Sequence, residues 1–201
     1  MKLASSRELH AYWSRLRGAR SAPERAEIDP IAIHGLLADT FILEVDRSAG
    51  YPFRIAGART SALFLTELRG RPFLDIWDGA SRDEIDQMLT IVTDEASPTV
   101  AGALAKASHF QALELEILIL PLRHRGATHS RVVGLCAPVA APNWLGLAPV
   151  APMTLQSMRV LRADDRPEPA ARDKTAAPSQ LEGLARLMRR GHFQFFSATD
   201  P

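Results

Sequence analysis

Arg54 and Arg59, five residues apart, are the side chains of this 201-residue chain whose type and placement best suit binding chemistry. A guanidinium offers a planar fork of donors that matches a carboxylate or phosphate. Arg54 lies between Phe53 and Ile55, where alternation predicts a strand, so it faces away from both. Two readings are open for it. Either it is solvent-facing or salt-bridged, with Glu44 across a hairpin as one partner, or it faces a cavity and holds an anion. Arg59, just after Gly57, carries the same pair of readings. Phe64, Phe73 and Trp77 follow closely and read as core, or as the lining of a cavity, with Trp77 adding a stacking wall and a polar N–H. Arg54, Arg59, Phe64, Phe73 and Trp77 are therefore the candidate ligand-binding set. Asp75 reads as a turn residue.

No catalytic residue is assigned. A Ser-His-Asp order, a Walker loop, paired carboxylates and a dinucleotide fingerprint are all missing from the sequence. Gly57, Gly70 and Gly79 read as turn punctuation. His109, His124 and His129 fall at predicted strand ends, match no zinc spacing, and read as exposed loop residues, so no metal site is expected. The one cysteine, Cys136, reads as a buried, inert thiol and suits a reducing, cytoplasmic setting. A net charge of +1 provides no basic field for nucleic acid. Arg15, Arg17, Arg20 and Arg25, offset by Glu8, Glu24 and Glu27, read as a solvated face or as a docking surface for an acidic partner. The longest apolar run, 113–122, is interrupted by Glu114 and Glu116 and is far shorter than the ~20 residues of a spanning helix. The N-terminus has no apolar signal-peptide core. A soluble protein is expected.

The elements that must position these residues follow from periodicity. Leu9, Tyr12, Trp13 and Leu16 recur at helical spacing and predict an amphipathic helix over 5–16, with Ser6 as a possible cap and Gly18 as its end. Asp29-Pro30 predicts a short helix over 31–37. Strands over 40–46 and 51–56 form a hairpin, and a helical passage covers 58–68. Ser81 with Glu84 predicts a capping box opening a helix over 81–96, with Ile85, Met88, Leu89 and Val92 as its buried stripe. Strands are predicted over 99–106, 110–122, 131–139 and 153–161. The resulting organisation is an N-terminal helical extension (1–39), a core (40–162), a polar linker (163–178), and a C-terminal helix and tail (179–201).

The strand over 110–122 carries more. Leu113, Leu115, Ile117 and Ile119 share one face. The other begins polar at Glu114 and Glu116, then turns apolar at Leu118, Leu120 and Leu122. A half-buried antiparallel strand keeps its outer face polar, so part of the outer sheet surface must be covered. The Trp13 helix is the natural cover, from its own chain or from the partner in a homodimer. Leu9, Tyr12, Trp13, Leu16, Leu118 and Leu120 are thus the candidate partner or dimer surface.

Several segments also resemble a bacterial group of stand-alone PAS-domain proteins. They are Trp13-Ser-Arg-Leu-Arg-Gly-Ala-Arg20, Pro23-Glu-Arg25, Ile28-Asp-Pro30, Phe41-Ile-Leu-Glu-Val45, Phe53-Arg-Ile-Ala-Gly57, Glu67-Leu-Arg-Gly70 and Asp75-Ile-Trp77. The resemblance spans roughly residues 5–162. It implies an α+β PAS fold, an antiparallel sheet of about five strands with helices on one face, to which the pattern above adds the N-terminal helix covering part of the other. It also implies a signalling role without an attached kinase or cyclase. Flavin photosensors of this superfamily carry a cysteine near the helix after the first hairpin, and this chain has Ala58-Arg-Thr-Ser-Ala62 there. Haem-binding members often place a histidine on the long helix, and 82–95 contains none. The cofactor is left unknown, with covalent flavin chemistry and helix-histidine haem ligation disfavoured. The expectation is a non-enzymatic regulatory protein that senses a small ligand, docks a signalling partner, or both. A small α+β enzyme using the same cavity and a ligand-free adaptor are the alternatives.

Overall fold

The computed structural model describes residues 1–108 and 110–161. The predicted linker (163–178), C-terminal helix and tail (179–201) and His109 lie outside the described residues. One antiparallel sheet contains β1 (Thr40–Glu44), β2 (Phe53–Ala56), β3 (Thr99–Ala105), β4 (Leu113–His124), β5 (Ala127–Pro138) and β6 (Thr154–Val160), in the order β2-β1-β5-β4-β3-β6. The expected count was about five strands; the sixth, β6, pairs with β3 along one edge. Helices α2 (Ala58–Phe64) and α3 (Gly79–Asp94), with a 3-10 turn at Phe73–Ile76, cover one face, and α1 (Ala4–Arg17) lies on the other.

The alternation in β4 dictates these two layers. Leu113, Leu115, Ile117 and Ile119 join the core beneath α2 and α3. Leu118, Leu120 and Leu122 join a second core with Leu9, Tyr12 and Trp13 of α1. The outer strip is thus covered from within this chain, by α1 and by Ala22, Ile28, Ile33 and Leu36 of the segment after it. Two polar ties fix α1 there. The Trp13 indole Nε1 donates to the Pro121 carbonyl at 2.8 Å, and the Glu116 carboxylate accepts the backbone N–H groups of Lys2 and, at 3.1 Å, Leu3. Glu116 is buried. Its charge is therefore matched by the donors at the positive end of α1, as a buried carboxylate requires. Ser6 is not the cap: α1 begins after Leu3, and the Ser6 hydroxyl is buried inside the first turn.

Local departures from expectation each have a physical cause. The segment predicted as a helix over 31–37 is a series of turns with a 3-10 turn at His34–Leu36. Two β-branched isoleucines and Gly35 in seven residues cannot nucleate an α-helix. Helix α2 stops at Phe64, where Leu65 turns left-handed at φ 48°. Helix α3 is capped by Asp78 rather than Ser81: Asp78 Oδ1 accepts the Ser81 N–H at 2.8 Å. Asp78 Oδ2 takes the Thr154 hydroxyl at 2.6 Å, and the Ser81 hydroxyl accepts the Leu155 N–H at 2.8 Å, which ties α3 to β6. The β4–β5 turn is tighter than predicted, because Arg125 (φ 51°) and Gly126 (φ 78°) form a two-residue reversal that suits the strands' twist.

Placing a charge in the outer core tests the intramolecular cover. Leu118→Glu is expected to cost more than about 3 kcal/mol in urea unfolding; an unchanged midpoint would show that α1 does not seal this strip.

Candidate functional site

The inner face of the β1–β2 hairpin carries an aromatic cluster. Phe41, Phe53 and Phe73 lie with ring centroids 5.5–5.7 Å apart, and Trp77 packs edge-on to Phe73 at 5.9 Å. Such offset and edge arrangements are the favoured ones for aromatic rings. Gly134 of β5 makes room for them: a Cβ there would lie 2.1 Å from the Phe41 ring. Phe73 and Trp77 are almost fully buried, whereas Phe64 is half-buried at the margin. The Trp77 Nε1–H is buried and has no acceptor among the described residues. The structure therefore brings Phe73 and Trp77 together, sets Phe64 at the edge, and places both arginines elsewhere.

Arg54 is displaced by a bulge. Leu43 pairs with Phe53 and Ile42 with Ile55, so Arg54 is the extra residue between them. The bulge also corrects the expectation that Phe53 and Ile55 share a face, since Ile55 is half exposed while Phe53 is buried. Arg54 is exposed and pairs with Glu44 Oε2 at 3.2 Å, and Glu44 Oε1 also meets Arg131 at 3.1 Å. Arg59 forms a bidentate pair with Asp39, with Nε to Oδ1 at 2.7 Å and Nη2 to Oδ2 at 2.6 Å. That bond to Asp39, ahead of the opposing effect of burial, raises the Arg59 pKa.

Asp39 is the residue the sequence reading missed. Its carboxylate is buried, its carbonyl accepts the Cys136 amide at 2.9 Å and the Thr60 hydroxyl at 3.2 Å, and it stands where α2 meets the sheet. Gly57, the residue before α2, passes so close that a Cβ would sit 2.3 Å from the Leu37 and Ala38 carbonyl oxygens. Cys136 is buried, and burial first, then the Asp39 charge, pushes its thiol up to about 12. That holds the sulfur as an unreactive thiol at neutral pH. Tyr51 was also missed as a tie. At φ 60°, its hydroxyl donates to Asp86 of α3 at 2.8 Å and accepts from Arg47 Nε at 3.0 Å. Burial, then the bond to Asp86, raises its phenol pKa. A Tyr at the start of a predicted strand gives no signal of that reach.

The candidate partner surface lies largely inside the chain. Leu9, Tyr12, Trp13, Leu118 and Leu120 are buried in the outer core, and Leu16 packs half-buried against it. His129 is not an exposed loop residue. It lies in the bulged start of β5 at φ 53°, is buried, and its Nε2 meets the Ser21 hydroxyl at 3.1 Å. Part of the basic cluster is engaged locally: Arg20 forks onto Glu27 at 2.9 Å, and Arg17 sits over the Trp13 ring. Among the described residues no group of three or more His, Cys, Asp or Glu could hold a metal ion, and no helix is long and apolar enough to cross a membrane.

The two arginines separate a structural role from a binding one. Arg59→Ala leaves the buried Asp39 carboxylate without its fork and is expected to cost about 1–2 kcal/mol, a range reduced because Arg59 is half exposed. Arg54→Ala is expected to stay within about 0.5 kcal/mol. Equal urea midpoints for the two variants would contradict this assignment.

A family model described as PAS domain matches residues 1–137. No curated protein matches this sequence. Among solved structures, the light-state structure of the blue-light photoreceptor Aureochrome1 LOV is similar at 14% identity and a TM-score of 0.41, covering 58% of this chain and 91% of that one. An RNA-binding Light-Oxygen-Voltage receptor is similar at 16% identity and a TM-score of 0.39, covering 58% of this chain and 35% of that one.

Proposed function

Because the chain belongs to the PAS domain family, we propose that it is a non-enzymatic regulatory module whose moving part is α1. One observation carries this reading: an apolar strip on the outer face of the sheet, Leu118, Leu120, Leu122, Val133 and Leu135, is covered by α1 together with Ala22, Ile28, Ile33 and Leu36 of the segment after it. Trp13–Pro121 and Glu116–Leu3 tie that helix down at two points. A helix attached this way can open as a unit at a free energy below that of global unfolding. A small ligand, or a signalling partner protein, acts by binding the open or closed form better than the other. The uncovered strip then serves as the surface for the partner or for a second copy in a homodimer.

The enzyme alternative relies on Arg54 and Asp75, and both are held in surface ion pairs, with Glu44 and Arg82 respectively. The close packing of Phe41, Phe53, Phe73 and Trp77 favours a second reading, a ligand-free adaptor working through the same α1 surface. The lone buried thiol suits a reducing, cytoplasmic setting.

Cutting both ties in the full chain tests the proposal. Trp13→Ala with Glu116→Ala is expected to raise binding of the apolar dye ANS and to increase the molar mass in light scattering, with the sheet's far-UV dichroism retained. Unchanged dye binding and mass, or loss of the whole fold together, would contradict a separable α1.

A further inference from the structure

A cavity of about 470 Å³ lies between the end of α2, the 3-10 turn at 73–76 and the segment before β6. That volume falls within the range of small-molecule sites. Phe64, Leu68, Ile76 and Val150 give it apolar walls, and Arg71 and Asp75 are polar members of its lining. Its frame is held by backbone bonds. Val150 N–H donates to the Leu63 carbonyl at 2.8 Å and binds the incoming segment to α2. The Arg71 carbonyl accepts the Phe53 N–H at 2.9 Å, and the Gly70 N–H donates to the Phe53 carbonyl at 2.7 Å, so β2 fixes the backbone beneath the arginine.

The charges decide what fits. Asp75 is paired with Arg82 at 3.5 Å. The Arg71 side chain is exposed and has no ion pair or hydrogen bond among the described residues. One uncompensated guanidinium beside an apolar wall suits one carboxylate on an apolar body. Asp75 on the same lining disfavours a second negative charge.

We propose that this cavity binds a small monocarboxylate with an apolar body, its carboxylate on Arg71 and its body against Phe64, Leu68, Ile76 and Val150. The proposal rests on the regulatory reading above only for what such binding would accomplish. It also moves the expected anion contact from Arg54 and Arg59, both paired within the protein, to Arg71.

Octanoate and phenylacetate, with octanol and phenylacetamide as neutral counterparts, serve as probes in an amide-shift titration of the full chain. Saturating shifts are expected at Leu68, Arg71, Ile76 and Val150 with the acids. Arg71→Gln, at an exposed position, should weaken them at least about tenfold. Shifts centred elsewhere, no saturation, equal binding of the neutral probes, or an Arg71→Gln variant that binds as well would each overturn the site. Binding here with α1 amides unmoved would keep the site and remove the link to α1. Failure here alongside release of α1 in the tie-cutting variant would remove the site alone.

Discussion

The structure depends on covering an apolar strip on the outer face of β4 and β5. A lone antiparallel sheet with helices on one side leaves its other side to water, and Leu118, Leu120, Leu122, Val133 and Leu135 are too apolar for that. Helix α1 meets the need through Leu9, Tyr12 and Trp13, and Ala22, Ile28, Ile33 and Leu36 of the segment after it complete the cover. The sheet in turn supplies the helix with what its N-terminus lacks, a carboxylate from Glu116. Pro121 takes part in the same contact. It lies beyond the last β3–β4 pair, at Thr99 and Ile119, so its missing N–H is tolerated, and its carbonyl holds the Trp13 indole.

The inner face is built on closer tolerances. Phe41 packs onto the bare backbone of Gly134, which lets Phe53, Phe73 and Trp77 gather around it. Four polar ties then join this layer to the sheet's periphery: Tyr51 to Asp86, Asp39 to Arg59, and the Asp78–Thr154 and Ser81–Leu155 contacts between the start of α3 and β6. Each fixes the junction of a helix with a strand or turn. The neighbours of the 3-10 turn at 73–76 are thus cross-tied by hydrogen bonds, whereas α1 is tied to the outer face at two points.

Much of this architecture was legible in the sequence. Period-two alternation marked β4 and both of its faces, and the Leu9–Trp13 stripe marked the cover, because burial leaves a residue pattern at fixed spacing. The stripe of α3 was legible for the same reason. Hydrogen-bonded details were not. Asp78 competes with Ser81 as a cap, and only the position of Thr154 and Leu155 decides between them. The bulge at Arg54 follows from the pairing of β1 with β2, which no local pattern records. Asp39 and Tyr51 find their partners 20 and 35 residues away. Val150 lines the cavity from far along the chain, beyond the contiguous stretch 54–77 that local pattern singles out.

Native-state amide hydrogen exchange on the intact chain tests the central claim most directly. If α1 is a separable cover, amides within Ala4–Arg17 will exchange together through an opening distinctly cheaper than that of β4 and β5 at Ile117–Leu122 and Val132–Cys136. Exchange of α1 only through global unfolding, with the same denaturant dependence as β4, would contradict the account.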